Sequence, residues 1–464
     1  MRPLWDVPIG QRPSWWQRRT PPQMLAGSFI LLIALGTVGL KCLPGICHEG
    51  VHLSWLDAWF TATSAVCTTG LVVVDTATAF TPLGQAWLLL LIQSGGIGIL
   101  TFTTLVITAL GGRPSLRQEA SAVGNPLEIG YHRIDARQLT RHIVLFTLTF
   151  EGIGAILLYL LWVPRFGWEG AAWPALFHAI SAFCNAGFST FSDSLVPFRQ
   201  DVPTLLVVCA LVISGGLGFL TWEELYLYWR RRATHRFTLS LHSRLVLTTT
   251  ATLLILPTPI LIWLEWDTTL REMSWLDKCI NAFFICVNTR TCGFNTVDHG
   301  QGSDAANFLL ILLMSVGGSP GSMAGGMKTT TLALLMVLAW SRFRGWEVAS
   351  VWGRSLRKQT TDRAIGLFVI GFITVTCGIL LLSITEARGS NGGFLPRMFE
   401  AVSAFNLVGL SMGLTPQLSS PGRCIVIGLM YLGRVGPLAL AAALAVQARL
   451  PGKFRYAYEE VAVG

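Results

Sequence analysis

The chain has 464 residues, of which 52% are hydrophobic and only 13% charged, and a mean hydropathy of +0.56. A soluble domain carries roughly a quarter charged residues, so this composition excludes a water-covered globular protein and indicates a polytopic membrane protein. The net charge of +9 would suit nucleic acid, but its placement argues against that partner.

Of 34 Lys and Arg, 23 fall in the N-terminal tail, in segments 111–142, 229–244 and 341–363, and in the C-terminal tail; nine lie in the alternate loops and two, Lys328 and Arg434, inside apolar spans. The positive-inside rule places both termini and the basic loops in the cytoplasm, with anionic lipid or a cytoplasmic partner as secondary roles for the charge. Seventeen tryptophans suit the membrane–water boundary.

In chain order, residues 1–23 carry Arg2, Arg12, Arg18 and Arg19 without a small-residue cleavage site, as a cytoplasmic tail does. Full-length apolar spans are expected near 24–42, 82–110, 142–162, 203–229, 242–264, 305–340, 363–385 and 422–448. Between successive members lie shorter semi-apolar segments, 53–67, 172–184, 275–288 and 395–406, suited to re-entrant helices. Ten cysteines without CxxC or Cys/His spacing give no metal or redox site. Cys42 and Cys47 flank an outer loop, where two free thiols are favoured over a pair.

The short segments repeat. SAVCTTGL, SAFCNAGF, CVNTRTCGF and SAFNLVGL align on Gly70, Gly187, Gly293 and Gly409, separated by 117, 106 and 116 residues. Gly95-Gly96, Gly215-Gly216, Gly317-Gly318 and Gly433-Arg434 begin 25, 28, 24 and 24 residues later. Such a period signals internal symmetry. The expected fold is all-α: four tandem units of helix, re-entrant pore helix with loop, and helix, spanning 24–112, 142–232, 242–342 and 361–448, with a cytoplasmic tail at 449–464. All four units point the same way, so they can surround one pseudo-fourfold pore. A short helix ending at mid-membrane leaves carbonyls that must face protein, water or an ion. Four such loops would replace the hydration shell of a monovalent cation. Glycine adds no side chain at the crowded axis. The paired glycines 95, 215 and 433 serve either this path or close helix packing.

The stretch SVGGSPGSMAGGMKTTT, 315–331, interrupts the sixth span. It fails as a phosphate loop, since Met327 stands where G-x-x-x-x-G-K requires lysine and an apolar span rather than a soluble strand precedes it. Pro320 and the glycines disfavour a helix, and irregular backbone at that depth should border an ion path.

These residues resemble a known superfamily. The loops TTGL, NAGF, TCGF and LVGL, the stretch GGSPGSMAGGMKTTT and the segment GRVGPL look like the potassium transporters that include TrkH, KtrB and plant HKT proteins. The likeness covers about 24–448 and is greatest to the KtrB branch, the membrane subunit of Ktr uptake systems. The resemblance implies a K+ selectivity filter built by the backbone carbonyls of Thr68, Thr69, Gly70, Leu71, Asn185, Ala186, Gly187, Phe188, Thr291, Cys292, Gly293, Phe294, Leu407, Val408, Gly409 and Leu410. It also implies channel-like K+ uptake in the plasma membrane, a homodimer with one pore per subunit, and a cytoplasmic ring of nucleotide-binding regulatory subunits of the KtrA/RCK type. No cofactor is expected in this chain, the nucleotide belonging to the partner, while K+ or Na+ serves as transported or coupling ion. In plant relatives serine at the first filter glycine accompanies sodium transport; here it is Gly70. Leu407 and Cys292 depart from the usual small or polar residues.

The resulting gate comprises Gly317, Gly318, Ser319, Gly321, Ser322, Gly325, Gly326, Lys328 and Arg434: a loop that blocks the path and moves with the cytoplasmic partner. By resemblance Arg434 projects toward the pore, the other reading being a pair with an acid or with carbonyls. Lys328 is either a carbonyl cap or a latch. Glu151 is a helix-packing hydrogen bonder or an ion relay, Asp57 and Glu400 would favour cations near the outer mouth, and His178 is structural. Arg230, Arg231 and Arg232 solvate a helix end or meet the regulator, and Arg290 braces the third loop. The rivals are a Na+-coupled or Na+ carrier of the same superfamily and a polytopic enzyme, which would need clustered acids or histidines that the sequence does not show.

Overall fold

A computed structural model describes residues 21–109, 136–231, 239–386 and 393–436. The two tails, most of the basic segment 111–142, Arg232 and the end of the last expected span lie outside them. The fold is all-α, and among the described residues the one sheet is a two-stranded hairpin of Ser350–Val351 with Arg354–Ser355.

Each unit contributes an outer helix, a short helix and an inner helix. Unit one has Pro21–Cys42, Trp55–Val66 and Pro82–Ala109. In unit two the outer and short helices form one run, Ala136–Phe183, broken at Gly167 (φ 73°, ψ 172°). Unit three has Leu241–Ile255 continued by Pro257–Leu264, then Trp275–Asn288, Asp304–Met314 and Thr329–Phe343. Unit four has Lys358–Thr385, Phe394–Asn406 and Ser420–Val435. Among the described residues four helices are long and apolar enough to cross a membrane, or five if one bent pair counts as a span.

That pair corrects the sequence reading. An unbroken span was expected near 203–229, but Val202–Gly216 and Phe219–Arg230 meet at 102°. The turn sits at Gly218, with φ 85°, a conformation that glycine adopts without steric cost. The second arm, FLTWEELYLYWRR, is too polar to continue through an apolar layer.

Burial is inverted relative to a water-soluble protein. Outer helices present Ile30, Leu35, Ile156, Leu160, Phe372 and Ile384 outward, while Thr63, Ser64, Ser181, Asn288, Ser403 and Glu400 are fully enclosed. The inner helices of units one, two, three and four pack on the following unit, and the fourth returns to the short helix of the first, so the ring closes. Its closing seam holds an ion pair between Asp57 and Arg423. Glu400 accepts from Thr415 (2.5 Å) and Ser411 (2.8 Å). Both acids therefore have partners within the fold.

Units three and four share a further device. Glu265, ending the outer helix of unit three, accepts from Ser303 N (2.9 Å) and Oγ (3.0 Å); Glu386 accepts from Ser419 Oγ (2.5 Å) in unit four. Each serine caps the inner helix that follows it. Burial pushes the Glu265 carboxyl up, but bonds from Thr268, Thr269 and Ser303 outweigh it and hold the group below its ordinary range. Its stabilisation is thus present above the unfolded-state range and lost as pH falls through the lower folded value. Glu265→Gln should cost about 2 kcal/mol at neutral pH. Thermal melting in detergent should show that deficit narrowing below about pH 4.

Candidate ion path

Each short helix runs into a loop in which the same two positions take positive φ. Two residues before the aligned glycine stand Thr68 (54°), Asn185 (54°), Thr291 (80°) and Leu407 (57°); the glycines have 94°, 66°, 86° and 88° at Gly70, Gly187, Gly293 and Gly409. A left-handed non-glycine residue costs about 1–2 kcal/mol, so the loops must be held. In three units a serine six residues before the glycine holds them. Its carbonyl accepts from the amide preceding the glycine: Thr69 N to Ser64 (2.8 Å), Ala186 N to Ser181 (2.8 Å) and Val408 N to Ser403 (2.9 Å). Ser64 and Ser403 Oγ also accept from Gly70 and Gly409 N, each at 3.1 Å. Unit three substitutes Asn288, whose carbonyl accepts from Cys292 and Gly293 N, and whose Oδ1 accepts from Phe294 N (3.2 Å).

The four glycines face one another around a closed ring. A Cβ on Gly70 would stand 2.6 Å from the carbonyl oxygen of Ala186. On Gly187 it would collide with the carbonyl of Cys292, on Gly293 with that of Val408, and on Gly409 with that of Thr69. Each glycine thus abuts the carbonyl preceding the next unit's glycine, and the fourth abuts the first. Behind the ring, Gly95, Gly215 and Gly433 lie against the carbonyls of Val66, Phe183 and Phe405, each four residues before the aligned glycine of its unit. Those glycines let inner-helix backbone touch the last turn of the short helix, which is the packing alternative of the two.

The 315–328 segment lies against this ring on the inner-helix side. It closes on itself through Gly317 N to Met327 O (2.8 Å) and Thr329 N to Gly318 O (3.0 Å). It is clamped to the bend in unit two, Ser319 N donating to Gly216 O (3.0 Å), Met323 N to Gly215 O (3.1 Å), and Phe219 N to Gly321 O (3.0 Å). The bend therefore frees the groups that the loop needs, so both irregular backbones are satisfied together. Sequence reasoning missed this bend; the three glycines of GGLGF followed by the polar TWEELYLYWRR carried the signal.

Lys328 Nζ donates to Ala324 O (2.7 Å), as a carbonyl cap. Arg434, buried, donates to Met323 O and to Gly95 O, both at 2.6 Å, tying loop, fourth inner helix and first inner helix together. Ser322 Oγ donates to Ser319 O (2.6 Å). Gly318 lies 3.1 Å, measured from a Cβ placed on it, from Gly216 O, while at Gly321 the φ of 69° rather than crowding requires glycine. Glu151 accepts from Gln93 Nε2 (2.9 Å) and lies beside the Cys184 thiol, three residues before Gly187, so it joins helix one-unit packing to the second loop. His178 is enclosed between Pro174 O and Ser189 Oγ. All ten cysteines are free, Cys42 and Cys47 included.

A family profile described as TrkH, cation transport protein, matches residues 10–451. The chain belongs to this family. Potassium/sodium uptake protein NtpJ of Enterococcus hirae is 36% identical, over 97% of this chain and 98% of that protein. Ktr system potassium uptake protein B of Bacillus subtilis is 38% identical, over 91% and 92%. The potassium transporter TrkH from Vibrio parahaemolyticus has the same fold, with a TM-score of 0.73 at 18% identity over 95% of this chain and 88% of that one. This is accordingly a multi-pass membrane protein of a transport family, and the enzyme alternative is set aside.

The crowding at the ring is testable. Gly293→Ala, with positive φ and a carbonyl in the way, should lower the melting temperature in detergent by several degrees, on the order of 2 kcal/mol or more. Gly152→Ala, on an open helical surface, should leave it unchanged or raise it.

Proposed function

We propose that the chain takes potassium ions into the cell across the plasma membrane, through a filter formed by residues 68–71, 185–188, 291–294 and 407–410. The observation that carries this reading is the closed ring in which four glycines each abut the next unit's carbonyl. Carbonyl oxygens converging on one axis, with the negative ends of four short helices behind them, replace the water shell of a monovalent cation. Both termini lie in the cytoplasm, and the membrane subunit acts as a homodimer under a nucleotide-binding regulatory ring, as the Ktr resemblance implies. The ion passes through this chain and the nucleotide binds the partner.

The loop 315–328 is the gate. Its backbone is clamped to the unit-two bend, and Arg434 pins it to the first and fourth inner helices. These bonds keep irregular backbone stable across the path, and a pull on the cytoplasmic arms of the inner helices would break them as a set. Arg434 also sets a positive barrier below the filter, which slows cation passage until the loop moves. The name of the sodium-handling relative keeps a K+/Na+ question open for measurement of both ions.

Purified protein in liposomes, assayed with radioactive rubidium and sodium, decides the matter: absence of flux of either ion, with or without a regulatory partner, would refute the reading. Gly70→Ser should lower the rubidium-to-sodium uptake ratio by about tenfold, since a side chain there displaces the Ala186 carbonyl. An unchanged ratio removes Gly70 from the filter. Deletion within Gly317–Gly326 should raise partner-independent uptake severalfold, and tightly controlled uptake in that variant would count against the gate.

A further inference from the structure

Two side chains of the fourth filter loop bear directly on the gate loop. Asn406 Oδ1 accepts from Met327 N (3.3 Å), while its Nδ2 donates to Val402 O (3.1 Å). A Cβ on Gly326 would stand 2.7 Å from that Oδ1 and 2.8 Å from the Asn406 Cα, so the loop backbone rests on this residue. Leu407, fully buried, is enclosed between Gly325 of the loop and Gly433 of the fourth inner helix, whose Cβ position is 3.4 Å from Leu407 Cδ2.

Leu407 is also the residue in the left-handed conformation, φ 57° and ψ 47°. Its counterparts are polar residues that find partners: Thr68 Oγ1 donates to the adjacent Cys67 O (2.7 Å), and the Asn185 amide pairs across units with Thr291 Oγ1 (3.2 Å). Leucine has no such bond, and its apolar contacts with the loop stand in its place. The next residue, Val408, supplies the carbonyl that abuts Gly293 in the ring.

We infer that the gate loop holds the fourth quarter of the filter in shape, with Asn406 and Leu407 as positioning residues for ion discrimination. When the loop leaves, Leu407 is released toward right-handed backbone and the Val408 carbonyl turns from its place. Gate state and selectivity are then one variable. The inference rests on the filter and gate reading above and adds to it a coupling that neither part requires.

The test compares Leu407→Ala, Leu407→Gly and Asn406→Leu in the full chain, reconstituted in liposomes and assayed with radioactive rubidium and sodium. Gel filtration of each variant checks its assembly. Leu407→Ala removes the contact and keeps the left-handed penalty, so uptake should rise while the rubidium-to-sodium ratio falls by about tenfold. Leu407→Gly removes more volume yet reaches positive φ unaided, so uptake should rise with the ratio kept within about twofold of the parent. Asn406→Leu should lower the ratio as Leu407→Ala does. A packing role alone predicts glycine to be at least as damaging as alanine, and that outcome overturns the coupling. So does an unchanged ratio in both Leu407→Ala and Asn406→Leu while Gly70→Ser shifts it; the filter reading then stands without the coupling. If Gly70→Ser also leaves the ratio unchanged, the filter reading itself fails. Should Leu407→Ala not assemble, Asn406→Leu with an unchanged ratio is sufficient to overturn the inference.

Discussion

Every backbone group released inside an apolar layer must find a partner, and the architecture of this protein follows from that requirement. Four short helices end inside the ring, one inner helix bends by 102°, and another is interrupted for 14 residues between Met314 and Thr329. Each break alone would leave several amides and carbonyls unpaired, at several kcal/mol apiece. The breaks are stable because they are placed against one another. The bend of unit two offers Gly215 O, Gly216 O and Phe219 N to the loop of unit three, and Arg434 covers the carbonyls of Met323 and Gly95. The filter loops use the same economy at shorter range, through Ser64, Ser181, Asn288 and Ser403.

Such pairing has a dynamic consequence. On the proposed reading, a loop held by backbone bonds and two cationic side chains, rather than by a broad apolar face, can come off without dismantling a core. The cations are costly in lipid, and here they are spent on carbonyls: Lys328 on Ala324, Arg434 on two others. Releasing a carbonyl-bound arginine leaves only neutral carbonyls behind, not a buried unpaired carboxylate.

How much of this was legible in the sequence differs from part to part. The four units were, because a positive φ with a carbonyl against the residue strongly favours glycine, and the repeat shows as Gly70, Gly187, Gly293 and Gly409. The interrupted helix was also legible, since Pro320 and five glycines cannot continue a span. The bend at Gly218 was not, because leucines and aromatics carry the apolar signal past it and hydropathy does not register direction. Asn406 and Gln93 were likewise unseen: their roles arise from contacts 79 and 58 residues away, to Met327 and Glu151, which local pattern does not encode. The partner of Asp57 was unseen for the same reason, since Arg423 lies 366 residues further along the chain.

The departure of unit four from the repeat then acquires a physical meaning. A strictly fourfold ring would have four equivalent loops and no preferred place for the single interrupted segment 315–328 to rest. In this chain the backbone stays close to fourfold, Leu407 keeping the φ of Thr68 and Asn185, while the side chains diverge. Unit two gives up a straight inner helix to supply hydrogen bonds, unit three gives up a continuous one to supply the loop, and unit four exchanges a polar filter residue for an apolar seat. Symmetry in the backbone preserves the carbonyl ring, and asymmetry confined to side chains and inner helices seats one loop against it. Duplication into a single chain is what permits this division, because four identical subunits could not carry three different departures.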